Sequence, residues 1–412
     1  MGRCDADALQ LCENGQWSNN YVSCPVGCVD GASQCDSVVG LSAGAAHTCA
    51  VISTGSIRCW GDDSRGQLGD DATAGGLQTR PVRVTTATGL GPVDSICAGG
   101  NHTCAVSGGQ VWCWGANQRG QLGNGTFDDA SVPAMVAWGD AASQVACGSA
   151  HTCAIRASDG ALFCWGAGDD GRLGVGGRPD GGSQVGQDQA TPVMVSALFG
   201  MGAVSRVALG GAHSCAIDVG GHVWCWGYDT YHQAANGQTS PWNPAPVEDA
   251  QGEHLVADEL HTGTSHTCAS LPGSGVVCWG SNFDKQHGGG TVTFGTSVPA
   301  DIVELDGFTS VTTGADARHA CGVSPDPAPA LRCWGNNDHD QAGRTGPTPQ
   351  AAPTAIQGVP TNVVVSVATG TGHSCAAFGG SDVRCWGWML RGRLGNGSNQ
   401  DQSAADAVPV VW

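Results

Sequence analysis

Seven times along this chain a histidine stands two residues before a cysteine, and nine to twelve residues later a second cysteine opens a Cys-Trp-Gly step. The histidines are His47, His102, His151, His213, His266, His319 and His373. The cysteine pairs are Cys49–Cys59, Cys104–Cys113, Cys153–Cys164, Cys215–Cys225, Cys268–Cys278, Cys321–Cys333 and Cys375–Cys385. One His and two Cys on a common face could hold zinc with one position open. Zinc ligands, however, pair at Cys-x₂₋₄-Cys or His-x₃₋₅-His spacings, and here a third ligand would have to come across a hairpin in every unit. No metal is expected. The better chemistry is a disulfide. Residues two apart on a strand share a face, so His47, Cys49 and Val51 point one way. A turn at Thr54-Gly55-Ser56 then returns Cys59 opposite Cys49. Opposed residues at a non-hydrogen-bonded pair have Cα atoms about 4.5 Å apart, at the short end of the disulfide range of about 4.4–6.8 Å. Each pair is expected to staple its own hairpin, with about 3 kcal/mol for a loop of ~15 residues in the chain-entropy picture. The histidines are expected to be structural, each bonded to a neighbouring backbone carbonyl.

What must position these pairs is a repeat. The histidines lie 49 to 62 residues apart, and a proline-containing extended stretch recurs near Pro81, Pro133, Pro192, Pro246, Pro299, Pro353 and Pro409. Seven units fill residues 37–412. The composition, with 66 Gly, 14 Trp and 13% charged residues, reads as all-β. Each unit offers about four strands; in the first they are expected at Val38–Ala43, His47–Ile52, Ser56–Trp60 and Pro81–Val84. Four strands repeated seven times fit a seven-bladed β-propeller closed into a ring rather than an open solenoid. Trp60 should lie on the face opposite Cys59, and the Cys-Trp-Gly tryptophans read as core packing.

The stretch "AGAAHTCAV…IRCWGDDSRGQLGD" resembles the regulator of chromosome condensation repeat, in which a Gly, a His-Thr step, a Trp-Gly step and a Gly-Gln-Leu-Gly turn follow in order. The resemblance covers all seven units and implies a seven-bladed propeller. It does not by itself imply a function. One member is a chromatin-bound exchange factor for a small GTPase, a role that an acidic chain without a basic tail does not fit. Another, secreted by bacteria, resembles a β-lactamase inhibitor that binds through one rim, and plant photoreceptor members use clustered tryptophans. The cysteines occupy positions that are usually small or apolar in the family, which implies a disulfide-rich extracellular bacterial-type branch.

The first 36 residues stand outside the repeat and carry Cys4, Cys12, Cys24, Cys28 and Cys35. Residues 1–36 are read as a small disulfide-stapled module, too short to hold a core alone. Cys97 and Cys147 precede the His-x-Cys step in units two and three, on strands expected nearest the axis, so a Cys97–Cys147 bridge is within reach. The total of 21 cysteines is odd, and at least one lacks a partner in the chain. Disulfides persist in oxidising compartments, which places the protein outside the cytoplasm: extracellular, on the cell surface or in a periplasm. The opening Met1-Gly2-Arg3-Cys4 carries no signal-peptide h-region. No apolar run reaches the ~20 residues that span a bilayer, so no membrane insertion is expected. A net charge of −19 with 17 Lys and Arg makes nucleic acid a poor partner.

The Gly-Gln-Leu-Gly turn is intact at 66–69 and 120–123 and nearly so at 171–174 and 392–395, but units four, five and six depart from it. Three consecutive departures should share one arc of the ring. They bring Tyr228, Tyr231, His232, Phe283, His287 and His339, with Trp242 following. Loops on a rigid scaffold carry function and aromatic anchors dominate interfaces, so these seven residues form the candidate partner-binding arc. The expected activity is binding of a protein or glycan through the rim loops, not catalysis; a structural envelope component and a propeller lyase or hydrolase are the alternatives. Asp62-Asp63, Asp70-Asp71 and Asp169-Asp170 could hold Ca²⁺, but no full ligand loop is present and turn capping is expected instead. Asn101-His-Thr and Asn124-Gly-Thr match a glycosylation acceptor.

Overall fold

A computed structural model describes residues 36–412 apart from 73–75, 87, 177–185, 196–199, 236–241, 274, 290–294, 302–304, 306, 309, 325–329, 347–348 and 361–362. Before residue 36 it describes the backbone of three strands, Gly2–Asp5, Ala8–Glu13 and Gln16–Ser23, paired as an antiparallel sheet. The pairing of Cys4, Cys12, Cys24, Cys28 and Cys35 lies outside the described residues.

Seven four-stranded antiparallel sheets then follow, each built from consecutive strands. Blade one comprises Val38–Ala43, His47–Ile52, Ile57–Asp63 and Gly76–Arg83. Its third and fourth strands run longer than the sequence pattern predicts. The ladder continues past Trp60 through a register shift between Cys59 and Gly61, a bulge that Gly61 accommodates at φ 109°. Blade seven comprises Val364–Thr369, His373–Phe378, Asp382–Trp388 and Ser403–Pro409. The ring closes without exchanging a strand: Leu41 N donates to Ser366 Oγ (3.1 Å) and Val38 N to Gly380 O (3.0 Å). The first strands of all seven blades line one axial channel, through Leu41, Cys97, Cys147, Leu209, Thr262, Thr312 and Thr369 among others. At one mouth Asp316 of blade six reaches across to the hydroxyl of Ser149 in blade three.

Blades stack face to face, so the second strand of blade one is buried at every residue rather than at alternate ones. All seven expected repeat disulfides are present, with Cα atoms 4.0–4.1 Å apart. The sulfurs a zinc site would need are bonded to each other. Each bridge packs on the next blade: Cys49, Cys59 and Leu68 meet Ala105 and Trp114, and Cys375, Cys385 and Leu394 close the ring on Ala50 and Trp60. The seven Cys-Trp-Gly tryptophans are fully buried, as core residues should be. An eighth bridge, Cys97–Cys147, joins the first strands of blades two and three (Cα–Cα 5.5 Å). Among the described residues no helix is long and apolar enough to cross a membrane.

The repeat histidines correct one expectation. They bond a hydroxyl on the next blade instead of a backbone carbonyl. His47 Nε2 meets Thr103 Oγ1 (3.0 Å), His102 meets Thr152 (3.0 Å), His151 meets Ser214 (3.0 Å), His213 meets Thr267 (2.9 Å), His319 meets Ser374 (2.7 Å) and His373 meets Thr48 (2.8 Å). The hydroxyl's own proton is committed: Thr103 donates to Gln67 O at 2.9 Å, the same carbonyl that accepts Trp114 Nε1 at 3.0 Å. The hydroxyl oxygen must therefore accept, and His47 Nε2 carries the proton. Burial keeps these imidazoles neutral, pushing His47 down to about 4 and His102, His213 and His319 to about 3. The chain of links fails once. Blade six has Ala320 where the others have Thr or Ser, and His266 Nε2 faces it without a hydrogen-bond partner.

Candidate partner-binding rim

The loops between third and fourth strands crown the same end of the ring as the short loops between first and second strands. In blade one the turn is built by three devices. Asp63 Oδ1 accepts Leu68 N (3.0 Å), Gln67 Oε1 accepts Arg65 N (2.8 Å), and Gly66 holds φ 81°. Asp63 thus caps a turn, as expected of these aspartates, and Asp70 Oδ1 likewise accepts Ala72 N (3.0 Å).

Blades four, five and six keep this geometry despite their departed sequence. Gln233, Gln286 and Gln341 accept the amides of Tyr231, Asp284 and His339 at 3.0, 2.8 and 2.8 Å. Asp229, Asn282 and Asn337 cap the amides of Ala234, His287 and Ala342 at 2.7, 3.1 and 2.9 Å. What changes is the residue at the left-handed position. Where Gly66 and Gly120 stand in blades one and two, His232, Lys285 and Asp340 hold φ 63°, 60° and 59°. An L-residue in that conformation costs on the order of 1–2 kcal/mol. Three consecutive blades carry that strain where blades one and two have Gly, and Asp170 and Arg391 hold φ 57° and 65° one position earlier in the tips of blades three and seven.

The tip of each blade leans on the next, and here the chemistry divides the ring. At the tips of blades seven, one and two stand arginines paired with aspartates of the next blade: Arg391 with Asp62 (3.0 Å), Arg65 with Asp129 (3.1 Å), and Arg119 between Asp169 and Asp188. From blade four the contacts become mainly aromatic. Tyr231 meets Phe283 of blade five edge-on with centroids 5.8 Å apart, and Tyr228 lies 6.4 Å from Tyr231. His339 lies flat on Trp388 of blade seven, 4.1 Å away at 4°, with the Arg393 guanidinium 4.5 Å from the same ring. Between these two aromatic contacts, Asp284 accepts Asn336 Nδ2 (3.1 Å) and pairs with Arg318 (2.6 Å). Tyr231 and Phe283 are 39% and 49% exposed.

Four of the seven candidates thus stand in ring contacts: Tyr228, Tyr231 and Phe283 in one cluster, and His339 on Trp388. His232 is exposed beside Tyr231 at the strained position. Two are placed elsewhere. Trp242 sits toward blade three, its carbonyl accepting Gly176 N at 3.0 Å. His287 is not on the surface; it is 2% exposed in the seam between blades five and six. It occupies the position of Leu68, which is a plug between blades rather than part of the turn's outer face, and its Nε2 has no hydrogen-bond partner. Trp388 escaped the sequence reading, although a second tryptophan directly after Cys-Trp-Gly is a departure that could have flagged it.

The pattern of the RCC1-like domain matches residues 2–320, and that of the regulator of chromosome condensation (RCC1) repeat matches residues 333–377. The chain belongs to the RCC1-like domain family. It is 28% identical over 382 residues to the ultraviolet-B receptor UVR8 of Arabidopsis thaliana, covering 90% of this chain and 81% of that one. It is 30% identical over 258 residues to the human E3 ubiquitin-protein ligase HERC2, covering 61% of this chain but 5% of that protein. Among solved structures, Prp20p from Saccharomyces cerevisiae superimposes with TM-score 0.73 at 22% identity, over 86% of this chain and 85% of that one. Human WBSCR16 superimposes with TM-score 0.72 at 19% identity, over 87% and 94%. These likenesses fix the RCC1-like domain chain as a propeller.

Proposed function

We propose that this RCC1-like propeller is a secreted or cell-surface scaffold that binds a protein partner through the tips of blades four to six. The observation that carries the reading is the switch in tip chemistry. One arc satisfies its tips internally with Arg–Asp pairs, while the next presents Tyr231 and Phe283 half-exposed and in edge contact, on turns that hold His232, Lys285 and Asp340 in the left-handed region. Relatives described as a receptor and as part of a ubiquitin ligase support a scaffold that acts through other proteins; the ligase activity belongs to that protein, of which this chain spans 5%. The location outside the cytoplasm rests on the eight disulfides of the described residues.

The test compares three variants for capture of partners from the medium bathing the producing cells. Truncating aromatics at an interface centre costs about 2 kcal/mol or more each, roughly a 30-fold loss of affinity. The Tyr231→Ala, Phe283→Ala variant should lose the partner and keep its unfolding temperature. Leu122→Ala, a fully buried inter-blade plug, should lose about 2–5 kcal/mol of stability and keep the partner. Binding that survives Tyr231→Ala, Phe283→Ala and is abolished by Arg65→Ala, Arg119→Ala refutes the assignment of the arc.

A further inference from the structure

One disulfide differs from the other seven. The fourteen repeat cysteines are 0% exposed, whereas Cys97 is half-buried, Cys147 is 7% exposed, and both line the axial channel through their bridge. Cys97 also stands directly opposite Cys104 in the ladder of blade two. Cys104 is already bridged to Cys113 on its other side. The sulfurs of Cys97, Cys104 and Cys147 all lie within 4.8 Å of one another.

The register says what this allows. In an antiparallel sheet, a residue that forms a close pair on one side turns its N–H and C=O to the strand on the other side. Cys104 forms the close pair with Cys113, with Cα atoms 4.1 Å apart. It is therefore the hydrogen-bonded neighbour of Cys97, at about 5.5 Å, a separation that a disulfide spans. Cys104 has a sulfur partner on each flank. No other blade offers this: the residues facing Cys49, Cys153, Cys215, Cys268, Cys321 and Cys375 from the first strand are Ser42, Ala146, Ala208, His261, Thr312 and Ala368.

We propose that Cys147, Cys97, Cys104 and Cys113 form a thiol–disulfide exchange relay fed by small thiols entering the channel. A small thiolate attacks Cys147 Sγ, forms a mixed disulfide there and expels Cys97 as a thiolate. Cys97 attacks Cys104 Sγ, forms a Cys97–Cys104 bridge and expels the Cys113 thiolate, which takes up a proton. A second small thiol clears Cys147 and leaves as the oxidised dimer. Two small thiols give up two electrons and two protons, and the protein gains free thiols at Cys113 and Cys147. The relay carries reduction from the channel wall to a staple that solvent does not reach.

The test treats the native protein with a limiting amount of cysteamine, quenches with acid, alkylates, digests without reduction and maps the peptides by mass spectrometry. The expected map has label on Cys113 and Cys147, a Cys97–Cys104 cross-link, and no label in the other six blades' pairs. Label on Cys97 and Cys147 with Cys104 still joined to Cys113 overturns the relay. So does first labelling of a pair in any other blade. The Cys97→Ser, Cys147→Ser variant keeps all seven repeat staples and should lose Cys113 labelling at the same cysteamine concentration. Undiminished Cys113 labelling in that variant means that thiols reach the staple directly, and also overturns the relay.

Discussion

Acid should open this ring, and the structure sets how strongly. All seven repeat imidazoles are fully buried, and burial holds each below its ordinary value: His47 at about 4, His102, His213 and His319 at about 3, and His151, His266 and His373 well below normal. In the unfolded chain each returns to about 6.5. Between those values the unfolded state binds more protons, so stability is complete above about 6.5 and is lost as the pH falls. At about pH 5.5 His47, His102, His213 and His319 each cost on the order of 1 kcal/mol, and His151, His266 and His373 act in the same direction. Asp63, Asp229 and Asp316 have the opposite sign. Burial raises the first two to about 6 and pushes Asp316 up as well, so acid relieves all three, but at about pH 5.5 Asp63 and Asp229 each return less than about 1 kcal/mol. The histidines outnumber these carboxyls, and the net loss of several kcal/mol compares with a total stability of about 5–15 kcal/mol for a folded domain. Urea titrations followed by tryptophan fluorescence at about pH 7.5 and about pH 5.5 measure it. A change in unfolding free energy below about 2 kcal/mol between those conditions would show that the histidines are not held neutral as a set.

Three further outcomes follow from the same contacts. Thr103→Ala removes the acceptor of His47 and should cost about 1–3 kcal/mol, while Ala320→Ser supplies the acceptor His266 lacks and should stabilise by about 1 kcal/mol; both are read from urea midpoints, and a destabilising Ala320→Ser contradicts the hydroxyl-link account. Eight bridges use sixteen of the 21 cysteines, so alkylation of denatured, unreduced protein should label at most the five that remain, as intact mass would show. Random duplex DNA should bind no tighter than micromolar at physiological salt, given the net charge of −19; submicromolar, salt-sensitive retention in a filter or mobility assay would contradict that.

The sequence by itself determined the ring and its staples. Strand periodicity places Cys49 opposite Cys59 through purely local geometry, and repetition at a near-constant interval carries that pairing around all seven blades. Cys97–Cys147 was legible for a related reason, because strands nearest the axis of a ring must neighbour one another. Contacts between blades were beyond reach. Nothing in the spacing of His47 shows that its partner is Thr103, 56 residues on, and so the histidines looked like local carbonyl binders. The Gly-Gln-Leu-Gly motif misled in the same way. It reads as one turn, yet its Gln builds the turn, its first Gly takes the left-handed backbone, and its Leu leaves the turn to plug the next blade. Only the packed ring separates those roles. It shows that blades four to six keep the turn and change the plug and the tip, which buries His287 and exposes Tyr231. The physical reason is that a side chain's face along a strand follows from its own backbone, while its partner across a blade interface is set by how whole sheets stack.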